Sequence, residues 1–126
     1  YDSISIDKKL KDLIEIIKRS EKNIFAVVDG KERFVGIIEL NDIKQKLFQT
    51  EKFGQVSVKS LMKKPAAILS QDQNMHIVME KFDITQSWYL PVLDNNKKFI
   101  GFISKTKLFN KYREILSSQV DLYEET

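Results

Sequence analysis

The sequence has no cysteine, and only two prolines, four glycines, one histidine and one tryptophan among its 126 residues. Without cysteine there is no disulfide framework, no thiolate metal site and no thiol nucleophile. The single histidine, His76, stands four residues before Glu80 with no second imidazole to complete a metal site or a catalytic triad, and reads as a surface or boundary residue. No stretch approaches the roughly 20 consecutive apolar residues that a bilayer-crossing helix needs. Charge of one sign is also scarce: 21 basic side chains face 18 acidic ones, a net charge of +3. The lysines fall in short scattered groups, such as Lys8, Lys9 and Lys11, or Lys63 and Lys64, or Lys97 and Lys98. No basic helix or interleaved aromatic platform results, so no nucleic acid is expected as a partner. The chain opens on Tyr1 without a basic leader and apolar core behind it, and is expected to be a piece of a longer protein.

What is present is enough apolar material for a core, 42% of residues beside 31% charged ones. A chain of this length removes about two-thirds of its unfolded surface from water. That material is laid out twice. Leu90–Tyr112 (LPVLDNNKKFIGFISKTKLFNKY) is an apolar strand, a polar turn, a second strand around Gly101 and an amphipathic helix. Val27–Ile43 (VVDGKERFVGIIELNDI) has the same grammar, 65 positions earlier and without a gap: Val27 matches Val92, Asp29 matches Asp94, Phe34 matches Phe99 and Gly36 matches Gly101. Upstream, Asp7–Ser20 reads as a helix capped by Asp7, with Leu10, Leu13, Ile14 and Ile17 on one face. Asp72, Met75, Val78, Met79 and Phe82 repeat that cap and face at the same offset. Ile24–Asp29 is a strand buried on both faces, Asp29-Gly30 a turn, Phe34–Ile38 the returning strand, and Asn41–Gln49 a short closing helix with Ile43 and Leu47 inward. Gln49–Val56 has no period and reads as the connector. The second unit adds an opening piece, Val58–Met62, then Pro65 and a strand at Ala67–Leu69. An aligned cap, stripe and hairpin indicate duplication. The division is residues 1–55 as repeat 1 with the connector, its N-terminal part truncated, and 56–126 as repeat 2 with a C-terminal tail.

A helix, two strands and a helix, with Leu90-Pro91-Val92-Leu93-Asp94 before the turn and Gly101-Phe102-Ile103-Ser104 before the last helix, resembles the CBS domain. Two in tandem resemble a CBS pair. The strings KRSEKNIFAVVD (18–29), GIIELNDIKQKLF (36–48), MEKFDITQSWYLPVLD (79–94) and IGFISKTKLFNKYREIL (100–116) are similar to the cytosolic C-terminal CBS pair of prokaryotic CLC chloride channels and transporters. The resemblance implies an α/β (α+β) fold, each repeat a small mixed sheet with two helices, the two related by a pseudo-twofold axis. It implies a regulatory domain and no enzyme, a homodimer formed through the CBS pairs, and a membrane-embedded channel part in the same parent chain. The location it implies is a cytoplasmic domain of an inner or plasma membrane protein. The alternative is an adenine-nucleotide-sensing CBS module of another transporter or enzyme.

In CBS pairs that bind adenine nucleotides, the junction of the second strand with the closing helix carries Gly, two or three apolar residues, Ser or Thr, two spacers and Asp. Helix N-termini suit phosphate, the hydroxyl meets phosphate, and the carboxylate takes ribose hydroxyls. Here the set is split. Repeat 1 keeps the ribose-type Asp42 but has Glu39 where the hydroxyl belongs. Repeat 2 keeps Ser104, after Ile103, but has Lys107, a donor only, where the acid belongs. Asp42, Ser104, Lys107, Ile103 and Glu39 are therefore the candidate residues of a degenerate nucleotide site, and adenine nucleotide is expected to bind weakly or not at all. No metal is expected. Plain structural roles stand beside these: Ser104 as N-cap, Asp42 as a first-turn acid, and Gly36 and Gly101 as points of close chain approach. Trp88 and Tyr89 read as core or subunit contact, and Met62, Met75 and Met79 as core filling.

Overall fold

A computed structural model describes residues 3–124, with side chains through residue 118. The elements run β1 (Ser3–Ser5), α1 (Leu10–Arg19), β2 (Ile24–Val28), β3 (Phe34–Glu39), α2 (Leu40–Ile43), α3 (Val58–Leu61), β4 (Leu69–Ser70), α4 (Met75–Thr85), β5 (Tyr89–Leu93), β6 (Phe99–Ser104) and α5 (Lys105–Glu124). They form two three-stranded sheets, β1-β2-β3 and β4-β5-β6. In each, the first pair is parallel and the second antiparallel. The 65-residue offset survives in the register: Val27 pairs with Gly36 and Val92 with Gly101, and each ladder slips just after that pair. This is the mixed α+β architecture that the repeat implies.

The hairpin turns differ from a tight Asp-Gly turn. Gly30 keeps a negative φ, and the left-handed positions are Glu32 (φ 63°) and Lys97 (φ 64°), again 65 apart. Each is held by the aspartate that opens the turn. The Asp29 carboxylate accepts the N–H groups of Lys31 and Arg33, both at 2.9 Å. The Asp94 carboxylate accepts those of Asn96 and Lys98, at 2.8 and 3.0 Å. An aspartate that satisfies two backbone donors replaces glycine as the turn-forming device.

The helix caps lie two residues later than expected, in both repeats. Asn74 caps α4, its Oδ1 accepting the Ile77 N–H at 3.0 Å. Lys9 precedes α1, and its N–H donates to the Asp12 carboxylate at 2.9 Å. Asp7 and Asp72 instead sit in turns that follow β1 and β4, where their N–H groups donate to the hydroxyls of Ser5 and Ser70. The serine that ends each short strand starts a turn, and this delays the helix.

The first core gathers Ile4, Leu10, Leu13, Phe25, Val27, Ile38 and Ile43, with Val58 and Leu61 of α3. The piece that opens the second unit is thus packed into the first. The second core is smaller: Leu69, Val78, Phe82 and Leu90. Each fully buried large apolar side chain contributes about 1.5–3 kcal/mol, so repeat 1 is the more heavily stabilised half. Met75 (39% exposed), Tyr89 (43%) and Trp88 (67%) are surface residues rather than core. Of the closing helix expected over Asn41–Gln49 only the start is α-helical, as α2, and a short 3₁₀ turn takes Lys46–Phe48; a second 3₁₀ turn, Thr50–Lys52, lies in the connector. His76 is exposed, 3.9 Å from the Glu80 carboxylate.

The repeats meet through their hairpins. The rings of Phe34 and Phe99 stack with centroids 6.3 Å apart. The Phe34 N–H donates to the Lys97 carbonyl at 2.9 Å, and Arg33 bridges to Lys98. Residues at the same offset face one another, which places the pseudo-twofold axis between the two rings.

Candidate functional site

A cleft of about 790 Å³ opens at the other end of the strands from those hairpin turns, where β2 and β5 begin and β3 ends. Repeat 1 lines it with Asn23, Ile24, Glu39, Leu40, Asn41, Lys44 and Leu47, and repeat 2 with Gln86, Ser87, Trp88 and Tyr89. Matching backbone bonds hold both walls: the Leu40 N–H donates to the Asn23 carbonyl (2.9 Å), and the Lys105 N–H to the Trp88 carbonyl (2.8 Å). Gln86 takes a left-handed φ of 54° and donates its N–H to the Phe82 carbonyl, which ends α4 and turns the chain toward β5. The Trp88 ring carries the Lys105 ammonium 5.4 Å from its centroid. The lining thus offers two aromatic rings, three side-chain amides, a hydroxyl and two charges of opposite sign.

Of the five candidate residues from the sequence, Glu39 lines the cleft. It ends β3 at the head of α2, half-buried. Asp42, one turn on, is exposed and joined to Glu39 through a residue that the repeat pattern did not mark. Lys63 reaches both acids, its Nζ 2.6 Å from Asp42 and 3.3 Å from Glu39. The hydrogen bond to Asp42, helped by one to Glu39, raises the Lys63 ammonium above the usual lysine range, while partial burial pulls the other way. Lys63 gets there because its backbone pairs with β3: Ile37 and Lys63 exchange N–H and C=O bonds of 2.8 Å each. That approach requires Gly36, whose missing Cβ would stand 3.0 Å from the Lys63 carbonyl oxygen. Gly36 is therefore a point of close approach, whereas Gly101 has no described atom within 4 Å of its missing Cβ.

Repeat 2 arranges its three candidates differently. The Ser104 hydroxyl accepts the Lys107 N–H at 3.3 Å and caps α5. Ile103 is half-buried against the second core, and Lys107 is exposed. None of the three lines the cleft with Glu39. Gln86 and Ser87 escaped the sequence reading because they belong to no repeated position of known chemistry. A usable signal was present in the offset, which pairs Trp88-Tyr89 with Asn23-Ile24 and so marks both segments as entries to equivalent strands.

Comparison with known proteins bears on the family and the fold. The CBS domain family matches residues 2–49 and 58–114. An uncharacterised protein of Methanocaldococcus jannaschii is 28% identical over 119 residues, 94% of this chain, and the chain spans only 40% of that relative's length. The structure of CBSX2 in complex with AMP superposes with a TM-score of 0.70 at 18% identity, over 90% of this chain and 87% of that one. The CBS domains of a transcriptional regulator from Streptococcus pneumoniae superpose with a TM-score of 0.68 at 14% identity, over 84% of each chain. That likeness corrects one expectation. The placement as a cytoplasmic domain of an inner or plasma membrane protein does not stand: the pneumococcal pair has this fold in a transcriptional regulator. No helix among the described residues is long and apolar enough to cross a membrane. The two matched segments cover most of the sequence, and the chain belongs to the CBS domain family, as a tandem pair.

Proposed function

We propose that this pair is a regulatory sensor which dimerises and takes an adenine nucleoside, or a nucleotide with few phosphates, in the cleft between its repeats. One observation carries the reading: both repeats line the cleft, so an occupant that fits one relative arrangement better than another biases the pair toward it. The rings of Trp88 and Tyr89 suit a base, and the amides of Asn23, Asn41 and Gln86 suit its edges. The corner that would meet phosphate holds Glu39, which disfavours polyphosphates. Asp42 lies outside the cleft lining and is held by Lys63, so the ribose is denied that acceptor, which keeps affinity modest. Control of an anion channel, implied by the sequence strings alone, forms no part of this reading.

Thermal-shift and calorimetric titrations with adenosine, AMP, ADP and ATP test it. Adenosine and AMP are expected to saturate and to outrank ATP. At ten times Kd the stabilisation is about 1.4 kcal/mol. Strong stabilisation by ATP, or saturation by none of the four, overturns the reading. Exposed apolar side chains on the helices of repeat 2, Ile77, Ile84, Ile115 and Leu116, supply the surface for the homodimer. Sedimentation at high protein concentration that finds only monomer defeats that part.

A further inference from the structure

Met75 and Met79 read as core filling from the sequence, yet the structure sets both in the lining of a second cleft, of about 650 Å³, between α4 and α5. Asn74 caps α4, so helical spacing begins at Met75. The residues that α4 buries in the second core are Val78 and Phe82. Met75 and Met79 lie one step round the helix from them, the first exposed and the second half-buried. His76 comes next and is exposed. Side chains three and four apart on a helix stand about 5–6 Å apart at Cβ. Met79 is four positions from Met75 and three from His76, so two thioethers and one imidazole form a triangle on a single turn. The methionine side chains are flexible enough to bring both sulfurs and a ring nitrogen onto one ion.

The rest of the lining suits a cation. Glu80 and Asp83 are acids, Phe109 and Tyr112 bring aromatic rings from α5, and no lysine or arginine takes part. Glu80 stands behind the histidine, its carboxylate 3.9 Å from Nε2. That leaves Nδ1 for an ion, and a carboxylate at the second nitrogen orients a ligating imidazole and makes it more basic. The donor set also decides which ion. Among the described residues no three His, Cys, Asp or Glu side chains gather into a set that would hold a metal. Calcium and magnesium, which want oxygen, and zinc, which wants nitrogen, thiolate or carboxylate, are therefore poorly served. Thioether sulfur selects copper(I). Ile77 and Ile84, offered above for self-association, lie on the opposite side of α4 from Met75 and Met79, so the cleft and that surface are separate faces of the helix.

We propose that Met75, Met79 and His76 form a binding site for copper(I), with Glu80 as a positioning residue that acts through His76. The ion enters as a monovalent cation with no change of oxidation state, into a cleft whose own charge is negative. Because α5 supplies the other wall, occupancy draws α4 and α5 together and gives repeat 2 an input separate from the cleft between the repeats.

Silver(I), which takes the same soft donors without redox chemistry, is the probe, titrated into the full chain with isotope-labelled methionine methyls. Met62 is the internal control, since it packs against the first core beside Gly36. One equivalent is expected to shift the methyl signals of Met75 and Met79 and to leave that of Met62 in place. Competition for copper(I) against a chromogenic chelator then ranks the variants. Met75→Leu and Met79→Leu keep the apolar volume and the fold. Each should weaken binding more than Glu80→Gln, whose cost is about tenfold. In a His76→Asn chain the same Glu80→Gln change should cost nothing further, which separates positioning through the imidazole from a general effect of charge. Equal shifts at all three methionines, unchanged affinity in the Met75→Leu/Met79→Leu double variant, or zinc(II) held as tightly as copper(I), each overturns the proposal.

Discussion

Adding one methyl group at each of two equivalent glycines should move stability in opposite directions. At Gly36 the new Cβ would sit 3.0 Å from the Lys63 carbonyl oxygen and 3.1 Å from the Met62 sulfur. The sulfur ends a flexible side chain and can swing aside. The carbonyl cannot retreat freely, because it accepts the Ile37 N–H at 2.8 Å in a two-bond bridge. Overpacking of this kind costs about 1–3 kcal/mol. Replacing glycine in a strand returns about 0.5–1 kcal/mol by reducing the freedom of the unfolded chain. Taking the middle of each range, the net for Gly36→Ala is a loss of about 1.25 kcal/mol. At Gly101 nothing lies within 4 Å and φ is not positive. Only the gain remains there, so Gly101→Ala stabilises by about 0.5–1 kcal/mol. Urea denaturation of both variants at equal m-values measures the difference. The packing argument is refuted if Gly36→Ala matches or exceeds the parent, or if Gly101→Ala loses as much as Gly36→Ala.

Asn74→Ala should cost about 0.5–2 kcal/mol through the lost cap on α4, whereas Asp72→Ala should be close to neutral; thermal melts of the pair decide which residue caps. Lys63→Met should lose only about 0.2–1 kcal/mol, because all three partners are roughly half exposed, and the loss should shrink in molar salt. Since Lys63 is raised in the fold, chiefly by Asp42, its contribution is complete below the ordinary lysine value of about 10.4 and fades as pH climbs through the raised one. Alkaline melts of parent and Lys63→Met should therefore converge. Asp29 is lowered, first by the backbone bond from Arg33, so its contribution is complete above about 3.9 and fades as pH falls through the lowered value. Acid titration of stability should be shallower in Asp29→Asn, and an identical slope would remove Asp29 from the acid response.

The sequence revealed the duplication because its signals are local: apolar spacing in the helices, Asp29 and Asp94 at the turns, Gly36 and Gly101 in the returning strands. β1 was missed, although Ile4 is the offset partner of Leu69, because three residues carry no period of their own. The caps were misplaced because Asp is a strong cap by type, and the competing turns at Ser5 and Ser70 depend on where short strands end. Lys63 was beyond reach for a different reason. It follows the piece that opens the second unit, and it meets Glu39 and Asp42 only because a β-bridge to Ile37 brings it back across more than twenty residues. The cleft was half legible, through Glu39 and the two aromatics, while Gln86 and Ser87 enter it by a left-handed helix end that no residue type announces.

The Phe34–Phe99 stack acts as a fulcrum. The stacked rings join the halves together with the Phe34–Lys97 hydrogen bond beside them and with α3 seated in the first core. α5 leaves the end of β6, the strand that Phe99 begins, and runs for 20 residues, about 30 Å. Along an arm of that length a turn of about 5° displaces one end against the other by up to about 2.6 Å. The arm's distal end is therefore where small adjustments in the angle between the repeats become largest, and where spin labels or fluorophores would report them with the most gain.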